Sequence, residues 1–416
     1  MFTDTNGFSR QTAPRPRRNA TLAAFNAGAI AICLMLPHLV FSASTEQLLH
    51  VFQQGDLPWA GVTFDKAGNL YGTSAYGGAF KRGGVFKLTR TATGWRYSIL
   101  YSFKGGTDAE TPYAGVTFDS AGNLYGTTPN GGAYNNGTVY ELSPAGDGSW
   151  KETILYSFKG NGDGRLPVSG IVIDRAGTLY GSVSQLGDNS CDYFNGGIYQ
   201  LKHSSTGWRE TLVHRFCGVT NGWSPGPITL DQAGNIYGGA GGGTNKQGLV
   251  YMLTRNGTVW NESVLAEMTF AEGNPVGALV FDLAGNLYGV GSGGTAGTIF
   301  ELSPSAGGWH LNLLYSFTGG LDGALPTGLV IDAKGTLYGV TSEYGEYGVY
   351  GGTAFSLSPG LNGQWVQTVL HSFGDVNDGY SPYDVLTLDG KGNLYGTTST
   401  GTVSCCLYGT VFKIIP

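Results

Sequence analysis

An eight-residue pattern, Asp-x-x-Gly-x-(Leu/Ile)-Tyr-Gly, occurs seven times along the chain, beginning at Asp65, Asp119, Asp174, Asp231, Asp282, Asp332 and Asp389. The copies are 50 to 57 residues apart. A spacing of this size, rich in glycine and aromatics, belongs to a supersecondary unit that cannot bury its own apolar face and stacks on copies of itself. Each unit holds four short apolar segments. In the second they are Gly115 to Asp119, Asn123 to Thr128, Gly137 to Leu142 and Trp150 to Phe158. These segments are rich in Val, Ile, Thr, Tyr and Phe and are bounded by Gly, Asp, Asn and Pro, which is the pattern of strands joined by turns. No helical apolar period runs long enough for a helix after the N-terminal region. Four antiparallel strands repeated radially predict an all-β fold, a seven-bladed β-propeller.

The Asp-x-x-Gly step reads as a tight hairpin, with Gly in the left-handed region and Asp bonding the turn backbone. The Gly after each Tyr, such as Gly126 and Gly181, falls inside a strand, where it implies close approach of a neighbouring blade beneath an aromatic ring. The Tyr before it (Tyr71, Tyr125, Tyr180, Tyr237, Tyr288, Tyr338, Tyr395) reads as packing, because the slot is filled identically seven times. The ends of the repeat predict how the ring closes. A fourth-strand segment, Leu48-Leu49-His50-Val51-Phe52, precedes every other segment, and the last unit stops at Pro416 after three strands. The first segment therefore completes the last blade, which leaves no open strand edge.

Residues 1–43 read as a separate element and 44–416 as the propeller. Arg10, Arg15, Arg17 and Arg18 precede an uncharged stretch from Asn19 to Thr45, and Ser42-Ala43-Ser44 follow the apolar core. This is the layout of a secretory signal peptide, with an uncleaved N-terminal membrane anchor as the rival. Either makes the protein exported: periplasmic, extracellular or held at the cell surface, with the membrane touched only through that segment. The formal net charge of −6, without basic runs, argues against nucleic-acid binding. The closed ring is expected to be a monomer. In an exported chain Cys191 and Cys217 predict a disulfide in the third blade, whereas the state of the adjacent Cys405 and Cys406 is left open.

Several strings repeat together: Asp-x-x-Gly-Asn-Leu-Tyr-Gly-Thr-Thr at Asp119 to Thr128, Gly-Thr-Val-Tyr at Gly137 to Tyr140, Leu-Tyr-Ser-Phe at Leu155 to Phe158, and Gly-Gly-x-Asp-Gly-x-x-Pro at Gly319 to Pro326. In this combination the chain resembles the bacterial choice-of-anchor tandem repeat proteins with GloVer repeats, from about residue 46 onward. A more distant likeness to NHL-type propellers puts Gly-Val-Thr-Phe-Asp on the innermost strand. The resemblance implies an exported, surface-associated repeat protein and supplies no catalytic residues. No sorting tail follows Pro416, so any attachment is expected through the N-terminus.

The residues offer little chemistry. His50, His214 and His371 occupy the fourth-strand slot that holds Tyr101, Tyr156 and Tyr315 in other units, so they read as tyrosine substitutes. His203 and His310 follow no pattern. Nucleophile elbows, zinc-binding helices and phosphate loops are missing from the sequence. Catalytic residues are therefore not assigned. Two features of the loops after the fourth strand stand out. Asp56, Asp108, Asp163, Asp322 and Asp378 form an acidic series whose oxygens would suit calcium, the single cofactor this inventory admits, if they converge; as turn formers they need not. The residue after the loop proline is aromatic in only three units, Trp59, Tyr113 and Tyr383, and these belong to blades one, two and seven, which are neighbours in a closed ring. With Trp223 and Tyr380 from the same loops they make a candidate binding patch for a glycan or protein ligand; otherwise they only cover the channel. The expected function is a non-catalytic binding or scaffold module. The alternatives are a metal-dependent lyase or hydrolase using the loop aspartates, and a structural surface component without a specific site.

Overall fold

The computed structural model describes residues 40–41, 44–53, 55–188, 195–218, 220–375, 378–400 and 409–416. These form seven four-stranded antiparallel sheets with up-and-down connections, so the chain is a seven-bladed β-propeller. In the second blade the strands from channel to rim are Thr117–Phe118, Leu124–Thr128, Thr138–Pro144 and Trp150–Ser157. The seventh consists of Tyr380–Leu388, Leu394–Thr400 and Thr410–Ile415, completed at its rim by Thr45–Val51. Thr45 pairs with Ile415 and Val51 with Thr410, the closure expected from the ends of the repeat. Val40–Phe41 add a short parallel pairing at the rim of the sixth blade, opposite Thr368 and Val369. The rest of residues 1–43 lies outside the described residues. No helix among the described residues is long and apolar enough to cross a membrane.

The repeated motif works through its own atoms. Asp119 Oδ1 accepts the backbone N–H of Ala121 and of Asn123, both at 2.9 Å, while Oδ2 accepts Asn123 Nδ2 at 2.8 Å and the Tyr125 hydroxyl at 3.2 Å. Gly122 takes the left-handed φ of 93° that the turn needs. The same Asp-to-Tyr bond recurs at Asp65, Asp174, Asp231, Asp282, Asp332 and Asp389. Each such Tyr carries its ring into the next blade: Tyr71 meets Phe118, Tyr237 meets Phe281, and Tyr395 meets Phe64 across the closure. Burying one such ring contributes about 1.5–3 kcal/mol. The threonine two residues later adds a polar seal. Thr73, Thr127 and Thr397 each donate a hydroxyl to an inner-strand carbonyl of the following blade.

The glycine after the tyrosine does lie under an aromatic ring, but the ring belongs to the same blade. A Cβ on Gly126 would fall 2.4 Å from Tyr140 Oη, and Tyr140 is directly paired with Gly126 on the third strand. Phe86, Tyr199, Tyr251, Phe300, Phe355 and Phe412 cover the corresponding glycines. A large side chain laid over a cross-strand glycine fills the space within the sheet, so an approaching neighbour blade is unnecessary.

At the rim, blades meet through polar side chains. The fourth-strand Tyr or His bonds the loop aspartate of its own blade: Tyr101 to Asp108, Tyr156 to Asp163, Tyr315 to Asp322 and His371 to Asp378. Beside Tyr101, Tyr156, His214 and His371 the next blade supplies an acid. Glu152 Oε2 lies 3.5 Å from the Tyr101 hydroxyl, and Glu262 Oε2 lies 3.2 Å from His214 Nε2. In the fourth blade Ala266 stands at the latch position and makes no such bond, and Leu311 of the fifth packs against the same apolar cluster. At the closure, His50 stacks flat on Tyr97, with ring centroids 4.1 Å apart.

Candidate functional site

The innermost strands leave an axial cavity of about 560 Å³ whose lining comes from all seven blades. Trp59, Tyr113, Val168, Val276, Thr327 and Tyr383 bring the residue after the loop proline into that lining. Trp59 and Tyr113 are in ring contact, 4.9 Å between centroids at 63°. Tyr383 is half exposed at the same cavity. The structure thus gathers the three aromatics that break the repeat.

It does not gather the other two with them. The backbone of Trp223 pairs with Gly241, and its indole covers that glycine, where a Cβ would meet Nε1 at 2.3 Å. Tyr380 begins its strand opposite Thr400. Neither lines the axial cavity, because both belong to the outer part of the loop, where the chain still runs alongside the second strand of its own blade. A residue that sequence reasoning missed touches Trp59 from outside the axial cavity, at a separate cavity by the closure. Tyr76, from the loop after the second strand, sets its ring edge-on to Trp59 at 5.7 Å. Burial, together with a hydrogen bond to Tyr76, raises the Tyr113 hydroxyl above its ordinary pKa. The sequence signal for Tyr76 is weak, because loops after the second strand vary in length from blade to blade.

The acidic series does not converge either. Asp108, Asp163, Asp322 and Asp378 are held at the rim by their latch partners and by local backbone N–H groups, and none of them lines the axial cavity. Asp56 lines a separate cavity of about 1060 Å³ at the closure, with His50, Lys81 and Tyr97. Among the described residues no group of three or more His, Cys, Asp or Glu could hold a metal ion. The turn role accounts for the recurrence of four of them: Asp108, Asp163, Asp322 and Asp378 each tie their own loop to their own outer strand. Cys217 is disulfide-bonded, while Cys191, Cys405 and Cys406 lie outside the described residues.

One further cavity residue escaped sequence reasoning. Asp384, next to Tyr383, has a left-handed φ of 67°. Its Oδ2 accepts the Gly61 N–H at 2.9 Å, linking the seventh blade to the first, and its carbonyl accepts the Thr327 hydroxyl at 2.8 Å from the sixth. Burial raises its pKa, opposed by the backbone N–H groups of Gly61 and Val385. Comparing the loops could have found it. In the other loops of equal length the position holds Ala60, Ala114, Ser169 or Gly277.

Fold and site together define a tandem-repeat propeller with an aromatic channel mouth. The model of the Gloeobacter/Verrucomicrobia repeat matches residues 39–192, 151–351 and 297–416, and the chain belongs to that family. No curated protein matches it. Solved structures are similar to it at low identity. A putative 6-phosphogluconolactonase from Bacteroides fragilis superposes with a TM-score of 0.50 at 15% identity, covering 74% of this chain and 82% of that one. The PQQ-bound aldose sugar dehydrogenase of Streptomyces coelicolor gives a TM-score of 0.44 at 10% identity, covering 91% of this chain and 100% of that one. A Lactobacillus plantarum protein gives 0.47 at 16%, covering 76% and 84%. At these identities the likeness concerns the fold alone.

Proposed function

We propose that this propeller is an exported, non-catalytic binding module whose channel mouth receives a glycan or protein ligand. The observation that carries this reading is the meeting of Trp59, Tyr113 and Tyr383, which depart from the repeat, in the lining of one axial cavity. A position that varies while the other structural slots stay constant has been released from the demands of the fold. Aromatic faces beside an apolar cavity offer stacking area at low entropy cost and suit sugar rings or peptide side chains. The disulfide at Cys217 supports an oxidising compartment, as does the basic-then-apolar N-terminal segment.

The test is a glycan array and a panel of extended peptides probed with the wild-type chain and with Trp59→Ala/Tyr113→Ala. The double variant should lose at least about tenfold in affinity for whatever the wild type retains, because stacked rings dominate such contacts. Binding unchanged by the double substitution removes this site.

A further inference from the structure

Asp384 has a charge that its structural duties do not require. Its backbone needs a residue that tolerates positive φ, and its side chain needs one oxygen to accept the Gly61 N–H. Asparagine meets both demands without being ionised. What remains unexplained is the carboxylate itself. Among the described residues lining the axial cavity, Asp384 alone carries a charged side chain; the rest are apolar, aromatic, glycine or hydroxyl-bearing. Lys, Arg and His are missing from that lining, so nothing there neutralises it. A half-buried carboxylate without a counter-charge is held at some cost, and a bound cation offsets that cost.

The surroundings suit a cation. Trp59, Tyr113 and Tyr383 line the same cavity, and aromatic faces attract an ammonium group through the ring quadrupole. Aromatic faces also stack on the C–H face of a sugar ring, so one residue of an amino sugar could use both features. Resting on the binding reading above, we infer that the channel mouth selects a glycan bearing free amino groups, with Asp384 as counter-charge to one ammonium and Trp59 and Tyr113 as its stacking faces. On entry of the amine the ammonium keeps its proton, so the cavity passes from a lone carboxylate to a compensated pair. An N-acetylated sugar would stack equally well but leave the carboxylate unpaired.

Calorimetric titration of the full chain with a glucosamine hexamer, its fully N-acetylated counterpart and an oligolysine peptide tests this in mildly acidic buffer. The glucosamine hexamer should bind about tenfold more tightly than the acetylated one, as expected for a charge-assisted contact with an aromatic wall. Asp384→Asn should abolish that preference, and Trp59→Ala should weaken both. Because the two hexamers are compared on the unaltered chain, the selectivity is measured whether or not a variant folds. Equal affinity for the two hexamers, both sensitive to Trp59→Ala, overturns the amine inference and leaves the binding reading standing. Binding of oligolysine alone, lost in Asp384→Asn, overturns the glycan assignment and moves the ammonium to a protein partner. If none of the three binds, the inference falls, and the array with the Trp59 and Tyr113 variants decides the broader reading separately.

Discussion

At one end of the ring seven hairpins repeat nearly bond for bond: an aspartate accepting two backbone N–H groups, a left-handed glycine, and a tyrosine hydroxyl closing the turn. At the other end the corresponding loops share only a proline. The residue after it is tryptophan, tyrosine, valine, glycine or threonine, and the next is a charged aspartate once. The turn end is constant because its bonds are made within a few residues, so every copy has the same problem and the same solution. The channel end varies because its side chains face an open cavity, where packing does not dictate identity. Invariance in this chain marks stability, and departure from the repeat marks the positions that the fold leaves free.

The comparison can be broken first inside a blade. Gly126→Ala places a methyl against the fully buried Tyr140 ring and should cost roughly 1–3 kcal/mol in urea denaturation, the usual penalty for overpacking. A neutral result would mean that the ring is free to shift and that the repeated glycine has another cause. Next in size, Asp119→Ala leaves two backbone N–H groups, an amide and a hydroxyl without their acceptor, at a cost of roughly 1–2 kcal/mol, since part of the turn is solvated. Trp59→Ala in the same assay should cost less. If the mouth substitution proves the more damaging, the mouth is a structural plug and the contrast between the two ends fails.

The smallest effect concerns pH and the rim. Burial first, and then the neighbouring Asp108, raise Glu152 to about 8. Burial and Asp163 raise Glu210 to about 7 despite Lys159. Burial raises Glu46 to about 7, with His371 opposing and Asp378 assisting. A carboxyl whose folded pKa lies above its unfolded value gives its full contribution below about 4.5 and loses it as pH rises through the folded value. The blade joints should therefore loosen between about pH 5 and about pH 8, and the melting temperature should fall by a few degrees across that window. His50 acts in the opposite sense: burial lowers it to about 4, so the closure loses stability as pH falls from about 6.5 towards that value. Glu152→Gln should flatten the alkaline decline; an unchanged profile would show that the rim acids are already ionised.

The repeat made much of this architecture readable. The seven-fold count, the hairpins and the completion of the last blade by Thr45–Val51 follow from local turn chemistry and from which segment lacks partners at each end. The candidate site was legible only in part. Trp59, Tyr113 and Tyr383 could be placed together because ring closure makes blades seven, one and two neighbours. Trp223 and Tyr380 come from the same loops yet lie away from the cavity, since a shift of two or three residues along a loop changes which way a side chain faces. The rim aspartates show the same limit: spacing gave their recurrence, and the Tyr and His latches decided their direction.

Sequence alone determined the seven units and their turns, because those depend on contacts between residues close along the chain and repeated often enough to read. Tertiary structure alone decided that Tyr76 touches Trp59 and that Asp384 stands as the lone charge in the axial cavity. The second depends on inner strands from separate blades converging on one axis, and no local pattern records how their side chains meet there.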